Sequence, residues 1–144
     1  MGDNRYYEFF SRRAFSQEEI KKYLSSLVKR YHIRTFIIEE FVSGPARDND
    51  QPLDYKFHVF NGKTLFVARE DRAPDPFSVA FVDANFMDIT GDLMHVGSKW
   101  KRGQLIKSEN SEEMLEAANK IGDNLNIPYV RVDMYSDNKK LYLG

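Results

Sequence analysis

Arg131 and Asp133 stand two apart in Tyr129-Val-Arg-Val-Asp-Met-Tyr135, where Val130, Val132 and Met134 supply the alternate positions. Side chains of a strand point to its two faces in turn, so both charged groups face one way and the apolar set the other. Such a pair has two uses. It can be an ion pair within a sheet, or it can line a site where a phosphate and a cation are handled together. A second run, Asp54-Tyr-Lys-Phe-His-Val-Phe60, puts Lys56, His58 and Phe60 on one face and Tyr55, Phe57 and Val59 on the other. His58 has no carboxylate partner visible in the sequence and reads as a packed strand histidine rather than an acid or base. Lys99, Lys101, Arg102 and Lys107 surround the single tryptophan, Trp100. They read as a basic, solvated loop, with contact to an anionic substrate as the functional alternative.

The elements that would position these groups follow from pattern. Ser16-Gln-Glu-Glu19 is a capping box, and Ile20, Tyr23, Leu24, Leu27, Val28 and Tyr31 follow at helical spacing, which predicts an amphipathic helix over residues 17 to 31 covering a sheet. Arg34 to Val42 is rich in β-branched and aromatic residues and predicts a strand that stops at Ser43-Gly-Pro45. Asn61-Gly62 favours a two-residue hairpin turn, so residues 54 to 69 should form a hairpin, and its mixed faces predict cover on both sides. Further strands are expected over Ser78 to Asp83 and Asp92 to Val96. A second helix is expected from an Asn110 or Ser111 cap, with Met114, Leu115, Ala118, Ile121 and Leu125 on its apolar face, ending near Asn126 and Pro128. The strand Tyr129 to Tyr135, a turn at Ser136-Asp-Asn138 and a strand over Lys139 to Leu143 close the chain. The fold class is therefore α+β, largely antiparallel sheets with two covering helices.

Composition narrows the function classes. Of 144 residues, 42% are hydrophobic and 14% aromatic, a globular balance with room for a real core. The 21 basic and 22 acidic residues are scattered and leave a net charge of -1, so no broad field draws nucleic acid or anionic lipid, and a charged ligand must be met locally. There is no cysteine, and His32, His58 and His95 do not pair at metal-ligand spacing, which argues against disulfides, thiolate chemistry and zinc. No run approaches the roughly 18 apolar residues of a membrane span. The expectation is a soluble, cytoplasmic protein.

Motif order adds a resemblance. Ile37-Ile-Glu-Glu-Phe-Val42 precedes a loop and a hairpin, and a helix then leads to Val130-Arg-Val-Asp-Met-Tyr135 and Lys140-Leu-Tyr-Leu-Gly144. This order resembles the ATP-grasp superfamily. Asp54-Tyr-Lys-Phe-His-Val-Phe-Asn-Gly-Lys63, Tyr129 to Tyr135 and Leu141-Tyr-Leu-Gly144 are similar to its TupA-like branch, associated with teichuronopeptide and other cell-surface polysaccharide synthesis. The resemblance covers about residues 35 to 144 and implies the C-terminal portion of one ATP-grasp domain, with residues 1–33 as an N-terminal segment and helix and 34–144 as the nucleotide- and metal-binding portion.

The resemblance also implies ATP and Mg2+ as cofactors. Residues Ile38 to Val42 would be the hinge strand, with backbone groups of Glu40 and Val42 at the adenine edge and Glu39 and Glu40 adding nucleotide contacts. Lys56 would meet phosphate or a substrate carboxylate, Asp133 would hold Mg2+, and Arg131 would stabilise the same phosphate oxygens. The reaction implied is activation of a carboxylate as an acyl phosphate for ligation, with an anionic, sugar-derived or amino-acid-derived substrate or polymer as partner. In the family pattern the last strand runs on into a Glu and further metal ligands, whereas Gly144 ends this sequence. No glycine-rich phosphate loop is present among its dispersed glycines. These departures predict a fragment, inactive alone, with a frayed last strand. A non-catalytic α+β binding or partner-interaction module is the alternative, including aromatics such as Phe57, Phe60 and Phe66 stacking on bases or sugars.

Overall fold

The protein is described by a computed structural model over residues 5–8, 13–37, 52–72, 76–91, 94, 96–104, 107–136 and 140–144. It divides into two compact units, Met1–Glu40 and Phe41–Gly144. In the first, strand β1 (Tyr6–Glu8) pairs antiparallel with β2 (Arg13–Phe15), and helix α1 (Gln17–Tyr31) follows. The capping box forms as the sequence predicts: Glu19 N–H donates to Ser16 Oγ at 3.3 Å and Ser16 N–H donates to the Glu19 carboxylate at 2.8 Å. Two amides that the first turn cannot satisfy internally are thereby paired. Ile20 is buried and Tyr23 stacks on Phe15 with centroids 5.1 Å apart, so α1 lies against β2. The predicted strand from Arg34 is not formed where it can be seen. Residues 32–37 have no regular structure and Ile37 is 81% exposed, while 38–42 lie outside the described residues.

The second unit is a six-stranded sheet. Its strands are β3 (Asp54–Phe60), β4 (Lys63–Asp71), β5 (Ser78–Asp83), β6 (Lys101–Arg102), β7 (Tyr129–Ser136) and β8 (Leu141–Leu143), in the order β6-β5-β4-β3-β7-β8. Every pairing is antiparallel except the short parallel contact of β5 with β6. Asn61 and Gly62 both have positive φ, 46° and 77°, as a type I′ turn requires. The basic stretch around Trp100 is thus partly sheet, through β6. Of the strand expected over Asp92–Val96, Met94 forms an isolated bridge with Thr90 and Val96 has no regular structure, while residues 92, 93 and 95 lie outside the described residues.

Helix α2 (Ser111–Leu125) covers one face of this sheet. Met114 and Ala118 are fully buried against Phe57, Val59, Val67, Val82, Val132 and Met134, with Leu115 and Ile121 packed at the margin. Burying each of the larger side chains is worth about 1.5–3 kcal/mol. The expected Asn110 side-chain cap does not form. Asn110 stands at the N-cap, but its amide donates to Ser136 Oγ at 3.2 Å, tying the helix start to the end of β7, and Ser111 Oγ donates to the Ser108 carbonyl. At the other end of the hairpin, Asn119 accepts from both the amide and the hydroxyl of Thr64 at 2.7 Å. The last strand is paired rather than frayed. Residues 134–136 meet 141–143 in register, Tyr135 stacks on Tyr142, and Gly144 N–H donates to the Asp133 carbonyl at 2.8 Å.

Candidate functional site

The face of the sheet opposite α2 gathers the charged groups. Antiparallel pairing of β3 with β7 sets Lys56 directly across from Asp133 and His58 across from Arg131. Residues directly opposite share a face, so the alternation read from each strand separately brings four polar groups together. On the other side of β3, Asp54 pairs with Glu70, Lys56 with Ala68 and His58 with Phe66. That register depends on one residue. The ladder shifts between Val59↔Thr64 and His58↔Phe66, leaving Leu65 as an unpaired bulge and turning Phe66, Ala68 and Glu70 toward the Lys56 face. Among the described residues of this unit no helix packs on that face.

Lys56 is the centre of the site and is only 8% exposed. Its ammonium donates to Asp54 Oδ2, lies 3.2 Å from Asp133 Oδ2 and stands 3.7 Å from Glu70 Oε2. Arg72 joins the far side, 2.8 Å from Glu70 and 3.3 Å from Asp54. Arg131 grips Asp133 with both arms, Nε to Oδ1 at 2.6 Å and NH2 to Oδ2 at 2.8 Å. The cluster holds three carboxylates, those of Asp54, Glu70 and Asp133, against three cations, Lys56, Arg72 and Arg131. A buried ammonium needs such compensation, since an unpaired charge is expensive to bury. Burial alone would push the Asp133 carboxyl up, but the hydrogen bonds from Arg131 and Lys56, with their charges, together hold it below its ordinary value. Arg131's own hydrogen bonds to Asp133, and then the Asp133 charge, raise the guanidinium further above its already high value.

An aromatic group flanks the charges. His58 stacks on Phe66 at a centroid distance of 4.1 Å, and its Nδ1 is 3.0 Å from the Tyr129 hydroxyl. Tyr129 in turn tilts against Phe60 at 4.8 Å. Burial first, then the Arg131 charge opposite, lowers the His58 pKa below its ordinary value. Phe57, grouped in sequence with Phe60 and Phe66, faces the other way and is fully buried under α2.

Of the residues singled out in sequence, Lys56, Arg131 and Asp133 converge. Glu39, Glu40 and Val42 lie outside the described residues. Asp54, Glu70 and Arg72 were missed. The sequence shows Asp54 two residues before Lys56 and so on its face; Glu70 and Arg72 needed the bulged register. No group of three or more His, Asp or Glu side chains among the described residues is arranged to hold a metal ion. The donor chemistry nevertheless fits a hard cation such as Mg2+, because Asp133 presents carboxylate oxygen and Mg2+ commonly takes one or two carboxylates with phosphate and water oxygens.

A mixed α+β fold with a mostly antiparallel six-stranded sheet and two helices is consistent with the ATP-grasp class. A family model described as TupA-like ATPgrasp matches residues 5–144, and the chain belongs to that family. No curated protein and no solved structure matches the chain.

Proposed function

We propose that this chain forms the metal- and phosphate-handling part of an ATP-grasp enzyme that activates a carboxylate as an acyl phosphate, in the synthesis of a cell-surface polysaccharide or teichuronopeptide. One observation carries the reading: Lys56, Arg131 and Asp133 meet on one sheet face with Lys56 and Asp133 directly paired. Asp133 would hold Mg2+, which when bound neutralises phosphate charge. Arg131 offers a planar fork to phosphate oxygens. Lys56, already surrounded by carboxylates, fixes the orientation of Asp133 and lends a positive charge to the same edge. Glu39, Glu40 and Val42 are proposed at the adenine end.

The chemistry balances simply. A substrate carboxylate oxygen bonds to the γ-phosphorus, the bond from that phosphorus to the bridging oxygen breaks, and ADP leaves. An amine then bonds to the acyl carbon, inorganic phosphate departs, and the amine gives up a proton. The acceptor is proposed to be anionic, sugar-derived or amino-acid-derived, and the compartment cytoplasmic. No described helix is long and apolar enough to cross a membrane.

Calorimetry of Mg-ATP binding to the chain and to Asp133→Ala tests the reading, with circular dichroism confirming that each is folded. The expected result is binding that weakens about tenfold or more in the variant, the worth of one charged contact. Equal binding by both proteins would remove Asp133 from the site.

A further inference from the structure

We infer that Arg131 is a removable counter-ion: it occupies the Asp133 carboxylate until a metal-nucleotide complex takes both partners, so metal and nucleotide bind together and each alone binds poorly. This rests on the reading of Asp133 as a metal ligand.

The geometry shows why a lone cation is disfavoured. Arg131 engages both oxygens of Asp133, and Lys56 adds a second donor to Oδ2. An incoming cation meets a carboxylate whose bidentate position is filled and whose charge is already compensated. Something must leave, and the two candidates differ. The Lys56 side chain is 10% exposed and also neutralises Asp54 and Glu70, so its departure would set partly buried carboxylates against one another. The Arg131 side chain is 50% exposed and its hydrogen bonds run to Asp133. Water can replace that bond on the guanidinium at small cost. Arg131 is therefore the arm that swings, and Lys56 stays.

Charge then couples the two ligands. A divalent cation alone would displace Arg131 and leave it beside a metal of the same sign. A polyphosphate alone would draw Arg131 away and leave Asp133 facing another anion. A metal-nucleotide complex brings both signs, giving Asp133 a cation and Arg131 phosphate oxygens in one exchange. This requires no change in the backbone of β7, since the two groups lie two residues apart on one face.

The test uses Mn2+ as a probe, its free concentration read by electron paramagnetic resonance, on the full chain with and without ATP. Arg131→Gln should bind Mn2+ alone about tenfold more tightly than the unmodified chain, the equivalent of one charge-assisted hydrogen bond removed from competition. It should also lose most of the gain in Mn2+ affinity that ATP confers. Arg131→Lys, which keeps the charge without the fork, should fall between, and serves if the Gln variant does not fold. Asp133→Asn separates the two failures. If it loses Mn2+ binding while neither Arg131 variant binds Mn2+ more tightly, the exchange is wrong and the metal-ligand reading stands. If Asp133→Asn binds Mn2+ as well as the unmodified chain, the reading fails and takes the exchange with it.

Discussion

At the scale of residues, the arrangement turns on one buried ammonium. Lys56 holds Asp54, Glu70 and Asp133 on a face where water reaches it poorly. Lys56→Met would keep much of the volume but leave three carboxylates sharing two guanidinium groups. A stability loss of about 3 kcal/mol is expected, at the lower end for breaking a buried ion pair because the carboxylates stay partly hydrated. Urea unfolding measures it; an unchanged midpoint would mean that Lys56 is not the counter-ion described. His58 gives a pH signature. Its pKa is lowered on folding, so the unfolded chain takes the proton more readily, and the stability due to the neutral ring is complete above pH about 6.5 and declines as pH falls below it. His58→Phe should flatten that part of the decline when unfolding midpoints at about pH 7.5 and about pH 5.5 are compared. Arg131 and Asp133 were legible from sequence because both sit on one strand and alternation alone places them. Glu70 and Arg72 were not, because their face is decided by pairing.

At the scale of elements, the hairpin shows where reading by pattern stops. Asn61-Gly62 announces the turn, yet strict pairing outward from it would set Lys56 against Val67 and Asp54 against Arg69. Leu65 bulges out instead, and the one-residue shift buries Val67 under α2 while Glu70 faces Lys56. Nothing local to Leu65 signals this; the apolar demand of the α2 face selects it. The helix itself approaches closely through Gly122. A Cβ there would come 2.5 Å from Val59 Cγ1, and Val59 is a stiff β-branched side chain held in the core. Alanine ordinarily gains about 1 kcal/mol over glycine inside a helix. Overpacking costs about 1–3 kcal/mol and must move α2 or β3. Gly122→Ala is therefore expected to lower the thermal midpoint. A rise would mean that the helix stands farther from the hairpin than described.

At the scale of the whole molecule, the order of motifs identified the family, and the match extends through residues 5–144, beyond the stretch from about residue 35 that carried the resemblance. The α2-covered face was legible as a pattern of apolar positions. The opposite face was legible only in pieces, since five of its six charged groups come from three strands, Arg72 follows just past the end of β4, and they meet through register. Their sum is zero, and the chain as a whole carries only -1. Beyond a Debye length, about 8 Å at physiological ionic strength, an approaching polyanion therefore meets almost no net field from this face. Capture should proceed at an unsteered diffusional pace that added salt changes little, leaving discrimination between ligands to how long they stay rather than how fast they arrive.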